Sequence, residues 1–228
     1  LFAEGALEAR GLPGSLATLD ELASPETLAP IGFELVEAYA DVYGFLLPPL
    51  DLRVGRQRIV WGPAERVSVI DNVNPLDLSD PWDFGRRLAG DAVRLKAYVS
   101  VLTVEAVYVP YFRPALLPAD GSSAVRLPAG LPASPLTFSV AAPGNGLGEN
   151  ATAGARLSAK LGGWDLAASY LYGRTSLPAA TRVTVLATPA VEVELSYPRQ
   201  HLVGLDAVGE LFGIGIWGEA AYCWPDYT

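Results

Sequence analysis

The sequence predicts an all-β fold: a transmembrane antiparallel up-and-down β-barrel with about eight strands visible. Three observations predict it. Four times, two strand-like runs of about ten residues meet at a turn, and a long polar or Pro-rich segment separates each pair from the next. Within the runs apolar and polar residues alternate, which gives a strand one greasy and one wet face. Mean hydropathy is high, at +0.27, yet no run approaches the roughly 18 apolar residues of a membrane helix. Strands of about 9–11 residues, short turns at one end and long loops at the other are the pattern of outer-membrane barrels. A soluble β-sandwich, which hides similar residues in a core, is the competing architecture.

The first thirty residues hold the end of a preceding strand and then a loop, in which Ser15 to Leu28 could form a short helix. The first hairpin runs from Phe33 to Trp61. Val36, Ala38, Ala40 and Val42 share one face, opposite Glu37, Tyr39, Asp41 and Tyr43. The prolines of LLPPLD cannot donate to a ladder and therefore belong to the connection. In the return arm, DLRVGRQRIVWG, the alternation breaks: Arg53 and Gln57 share one parity, Arg56 and Arg58 the other. A lipid-facing Arg at midplane costs about 2–4 kcal/mol. Either Gly55 marks a bulge that resets the register, which is the favoured reading, or two arginines sit at the rim.

The second hairpin, Asp91 to Phe112, sets Val93, Leu95, Ala97 and Val99 against Arg94, Lys96 and Tyr98. Its return arm sets Val104, Ala106 and Tyr108 against Thr103 and Glu105. The third, Thr152 to Arg174, turns at Gly162-Gly163, a strong two-residue signal; Arg156, Ser158 and Lys160 alternate with alanines and leucines. The fourth, Arg199 to Tyr222, alternates Val203, Leu205 and Ala207 with Gly204 and Asp206. It turns around Gly209–Gly213 and returns with Ile214, Ile216 and Ala220 opposite Trp217 and Glu219. The short run VEVELSY, residues 191–197, is either a loop hairpin or the top of the next strand. Tyr43, Phe45, Trp61, Tyr111, Phe112, Tyr170, Tyr172, Tyr222 and Trp224 collect near strand ends, as aromatic girdles do.

The net charge of −9 excludes a nucleic-acid partner, which calls for basic stripes. Cys223 is the single cysteine, and an apolar strand-end residue is its simplest reading. The sequence lacks Met and a signal peptide, and its end, CWPDYT, has no strand-closing pattern. Residues 1–228 are therefore expected to be a single barrel domain truncated at both ends, an arc of a larger barrel.

The segment Leu52 to Asp77, LRVGRQRIVWGPAERVSVIDNVNPLD, resembles a large, mostly uncharacterised group of Gram-negative, porin-like outer-membrane barrels. In these a G-R-Q-x-x-x-W-G strand end precedes a loop carrying N-P-x-D. Val104 to Leu117 and Gly154 to Gly173 match further, and the likeness covers about Phe33 to Tyr222. The chain is more distantly similar to barrels that export alginate. The resemblance implies fold and an outer-membrane location more firmly than activity.

With that alternation, Glu37, Asp41, Arg53, Arg94 and Lys96 would line a lumen, together with Glu105, Arg156, Lys160, Asp206 and Glu219. Opposite charges on neighbouring strands can pair and stiffen the wall. The loop at residues 62–90 is too long for a plain connection. Its apolar side chains allow it to fold inward as a constriction that presents Asp71, Asn74, Asp77, Asp80, Asp83, Arg86 and Arg87. The aspartates match no twelve-residue calcium loop, so no metal and no cofactor are expected. Neither is an enzyme: His201 is the single histidine, and there is no Gly-x-Ser-x-Gly elbow. The expected function is a channel for passive passage of small polar or anionic solutes, with membrane lipid as the other partner and room for a homo-oligomer. A polysaccharide-export pore and a non-conducting barrel are the alternatives.

Overall fold

The structure, a computed structural model, describes residues 1–9, 31–64, 67–78, 82–83, 85–117, 136–144, 146–185 and 191–226. Ser15 to Leu28, where a short helix could form, and Asp80 lie outside the described residues.

Alternation produces the expected strands, and their pairing is strictly antiparallel in the main sheet. In chain order its strands are β1 (Phe2–Ala9), β2 (Ile31–Val42), β3 (Leu50–Gln57), β4 (Gly90–Val99) and β5 (Leu102–Val109). After the short β6 (Leu136–Ala141) come β7 (Thr152–Leu161) and β8 (Trp164–Arg174). Two more short strands, β9 (Ala179–Val185) and β10 (Val191–Ser196), precede β11 (Arg199–Leu211) and β12 (Ile214–Pro225). The nine-stranded sheet has the order β1-β2-β3-β4-β5-β7-β8-β11-β12. Each strand pairs with its predecessor in the sheet, the up-and-down topology. The sheet is open, with β1 and β12 at its edges. The fold is all-β, without helix among the described residues, and consistent with an arc of a barrel.

The connections alternate in kind. At one rim β4–β5, β7–β8 and β11–β12 close through two-residue turns, and β2–β3 through residues 43–49. Both glycines of the Gly162-Gly163 turn have positive φ, 59° and 86°, as the tight hairpin turn of this handedness requires. Ser100 and Phe212 adopt φ of 56° and 54° at the equivalent turns. All the long connections lie at the opposite rim.

Those long connections carry a second sheet in the order β6-β10-β9. VEVELS is β10, antiparallel to β9 and parallel to β6. It is therefore a loop element and not the top of a barrel strand. β6 and β9, which the sequence reading did not single out, share its period-2 pattern (LTFSVA, AATRVTV).

The expected bulge at Gly55 is not there. Register runs unbroken through it on both sides, Tyr39 opposite Gly55 and Gly55 opposite Ala92. Glycine is required for another reason. Its φ is +129°, and a Cβ would lie 2.8 Å from Tyr39 Cα and closer still to the carbonyl oxygen of Ala38. The apparent parity break resolves at the rim. Arg53 and Gln57 point to one face; Arg56 points to the other but pairs with Asp91 through two 3.1 Å bonds at the end of the ladder; Arg58 lies past the strand.

Candidate functional site

Period-2 geometry and register, unbroken but for one shift between β1 and β2 beside Val36, sort the main sheet into two unlike faces. One carries Val93, Leu95, Ala97 and Val99 on β4, then Leu102, Val104 and Ala106 on β5, and Ala155, Leu157 and Ala159 on β7. It continues with Leu166 and Ala168 on β8, Val203, Leu205 and Ala207 on β11, and Ile214, Ile216 and Ala220 on β12. Much of it is open to the surroundings: Leu157 is 46% exposed, Leu205 58% and Ile214 65%. Among the described residues, charged groups reach this face only near its long-loop rim, where Tyr108, Tyr170, Tyr222 and Trp224 also lie exposed. There His201 stacks on Trp224 at 5.1 Å, and its Nδ1 meets the Tyr170 hydroxyl at 2.7 Å.

The opposite face is polar. The register carries Glu37, Asp41, Arg53, Arg94, Lys96, Glu105, Arg156, Lys160, Asp206 and Glu219 all to it. Their charges pair across strands. Arg53 Nε and Nη2 donate to Asp41 at 2.6 and 3.0 Å, a bidentate fork. Lys96 Nζ meets Glu105 at 2.9 Å, and Arg156 grips Asp206 at 2.7 and 2.8 Å. The last pair joins β7 to β11 across the intervening β8, whose Ser169 is buried between them in the register. Lys160 lies 3.9 Å from Asp165, largely in solvent.

The β3–β4 connection lies on this polar face. Trp61 is 1% exposed; its indole Nε1 donates to Glu105 Oε1 at 2.8 Å. A Cβ on Gly154 of β7 would come within 2.8 Å of its ring. Trp61 is thus a core residue of the inserted loop and not part of an aromatic girdle. Ile70, fully buried, rests over Gly204 of β11. Val69 N donates to Glu219 Oε1 of β12 at 2.6 Å. One short segment therefore touches β5, β7, β11 and β12.

The loop's polar residues explain how it stays there. Gln57, fully buried, donates through Nε2 to the Ala92 carbonyl at 3.0 Å. Asn74 Oδ1 accepts from Ile59 N at 2.7 Å, and Asp71 Oδ1 from Trp61 N at 3.4 Å. Asp77 pairs with Arg86 at 3.0 Å, and Asp71 with Arg87 at 3.6 Å. Asp71, Asn74 and Asp77 are 6%, 2% and 3% exposed. These three are not presented to open space, contrary to the expectation for a constriction. An unpaired backbone amide in such a packed loop would be costly; the Asp71 and Asn74 side chains satisfy two such amides, and Asp77 is held by Arg86. Asp83 and Arg86 are the exposed members of the set. Burial pushes the Asp71 carboxyl above its usual range, with the Arg87 guanidinium pulling the other way. Arg87 is lowered by burial in turn.

Among the described residues no group of three or more His, Cys, Asp or Glu side chains is placed to hold a metal ion. What sequence reasoning missed is that Gln57, Trp61 and Asn74 of the GRQ–WG–NPLD segment act as one latch. Their spacing was visible, but their partners on β4 and β5 were not.

An open up-and-down antiparallel sheet with a polar face, a loop packed on that face and a bare apolar back defines the class: an all-β protein consistent with a barrel arc. The chain belongs to a family of proteins of unknown function, DUF1302, whose model matches residues 29–226. No curated protein and no solved structure shows significant similarity to it.

Proposed function

We propose that this chain is an arc of an outer-membrane β-barrel that passes small polar or anionic solutes along its polar face. The observation that carries the reading is the segregation of the sheet: one face exposed and apolar between its rims, the other charged, paired and covered by a loop. An exposed apolar surface spanning many strands far exceeds what a monomeric soluble protein tolerates, and lipid is the environment that fits it. Main-sheet strands of 8–13 residues, the longer of them tilted as in known barrels, cover an apolar band of about 25 Å. The resemblance to porin-like barrels and, more distantly, to alginate-exporting barrels supports the same reading.

The rows of opposite charge on the polar face would give a solute path a transverse field, with the β3–β4 loop as its constriction. The dense packing of that loop favours, as a second reading, a barrel closed by its own plug. Ion current separates the two. Purified protein in planar bilayers should conduct, and deletion of residues 68–84 should raise single-channel conductance. Absence of current from the intact protein and its appearance only in the deletion variant would establish the plug; absence from both would overturn the channel.

A further inference from the structure

The inserted loop does more than occupy the polar face. It is flanked by two cavities of about 440 and 460 Å³, and the same four residues, Arg58, Val60, Arg86 and Arg87, stand in both walls. Three arginines therefore line both cavities. They are unequally engaged. Arg86 is paired with Asp77, yet its side chain is 46% exposed. Arg58 is exposed, and among the described residues its guanidinium makes no hydrogen bond or ion pair, acting on Asp71 only at longer range; its backbone N–H donates to Glu37.

Arg87 is the informative member. Its side chain is 7% exposed, and its contacts are Asp71 at 3.6 Å and the Asn74 carbonyl at 3.3 Å. Charge-assisted bonds normally run about 2.7–2.9 Å, and a guanidinium carries five N–H donors in a fork. A buried cation held this loosely is short of acceptors, and buried charge without partners is costly. A carboxylate placed between Arg87, Arg86 and Arg58 would supply them.

The rest of the first cavity has a different character. Leu35, Val36, Leu88 and Ala89 stand in its wall, and so do Glu4, Glu37 and Arg113, whose Nη1 donates to the Ala89 carbonyl at 3.0 Å. The apolar side chains fit a hydrocarbon body. The two carboxylates repel a second negative charge on that body.

We propose that Arg58, Arg86 and Arg87 bind the carboxylate of a small organic monoanion whose apolar body lies against Leu35, Val36 and Leu88. This deepens the channel reading by naming a solute class, and rests on that reading only for the solute's passage; the binding itself is separable from it.

Calorimetric titration of the purified full chain in detergent, with benzoate as the probe, tests the site. Benzoate should bind, with benzyl alcohol and succinate each at least about tenfold weaker, because one lacks the charge and the other carries two. Arg58→Gln and Arg86→Gln should each weaken benzoate about tenfold, the usual scale for losing a charged hydrogen bond. Arg58→Lys keeps the charge without the planar fork and should fall between. Arg182→Gln removes the same charge from exposed β9 and should change nothing. Benzoate binding no tighter than benzyl alcohol, or equal losses in Arg58→Gln and Arg182→Gln, would overturn the proposal. Succinate binding as tightly as benzoate would overturn the monoanion assignment. Current recorded on the same samples keeps the two readings apart. A conducting protein that ignores benzoate sinks the site alone, and benzoate binding to a non-conducting protein sinks the channel alone.

Discussion

Trp61 and Glu105, 44 residues apart, are joined by a 2.8 Å hydrogen bond from the indole N–H to the carboxylate. Glu105 also holds Lys96 at 2.9 Å. A cation, an indole and a carboxylate thus connect the inserted loop to β4 and β5 through a single buried acceptor.

Removing only the donor should loosen the loop without emptying its core. Trp61→Phe keeps an aromatic body but leaves Glu105 one hydrogen bond short, at a cost of about 1–3 kcal/mol for a charged partner. Trp61→Ala adds a cavity among Ile59, Val107 and Leu171 and should cost about 3–5 kcal/mol. Hydrogen-exchange protection of residues 59–71 measures both. Equal protection in Trp61→Phe and the wild type would show that the bond contributes nothing to docking.

The glycines of the sheet divide by what a methyl group would strike. Gly55→Ala drives a Cβ against the backbone of Ala38 and Tyr39 at a φ that L-residues avoid, and backbone cannot step aside as a side-chain tip can. Gly215, on β12, has nothing within 4 Å. We expect Gly55→Ala to abolish refolding into detergent, read by circular dichroism, while Gly215→Ala refolds normally. Normal refolding of Gly55→Ala would show that β2 and β3 can separate locally at this point.

How much of this was legible beforehand follows from the range of each interaction. Alternation is a local property, so the strands from Ala38 to Val42, Val93 to Val99 and Val203 to Ala207 and their facing sides could be read directly, while Val36 stands at a register shift with β1 that alternation does not show. The arm at Gly55 could not be. A bulge and a rim arginine leave the same parity break, and only the position of Asp91, 35 residues past Arg56, distinguishes them. Trp61 is subject to the same limit: an aromatic at a strand end serves a girdle or a core equally well until Glu105 and Gly154 are placed beside it. The parallel pairing of β6 with β10 links residues about 55 positions apart, beyond the reach of any local pattern. For the loop, its length and apolar content were visible, but not that Asp71, Asn74 and Asp77 would turn inward.

Acid should tighten the docked loop. Burial raises the Asp71 carboxyl above its ordinary value of 3.8, so the docked state binds a proton more readily than the undocked one. The sign follows: this contribution to docking is fully present below 3.8 and is lost as pH rises through the raised value. Protection of the Ile70 and Asp71 amides, corrected for intrinsic exchange, should therefore fall with rising pH across that window. Asp71→Asn should flatten the dependence. A wild-type profile without slope there would mean that the Arg87 pairing fully offsets burial.

The apolar face gives the sharpest test of the membrane reading, because lipid and water assign opposite costs to one substitution. Leu157 sits mid-strand on β7, 46% exposed, opposite Val104 of β5 and Ala168 of β8. Facing a hydrocarbon midplane, an arginine there costs about 2–4 kcal/mol, and near an interface about 0–1. Leu161, 51% exposed beside the Gly162-Gly163 turn, is the rim control. In water both positions would accept arginine nearly without cost, as exposed sites usually do. Urea titration of folding into phospholipid vesicles should therefore show Leu157→Arg destabilised by about 2–4 kcal/mol and Leu161→Arg by about 1 or less. Equal, near-zero effects at both positions would place this face in water and remove the barrel from the membrane.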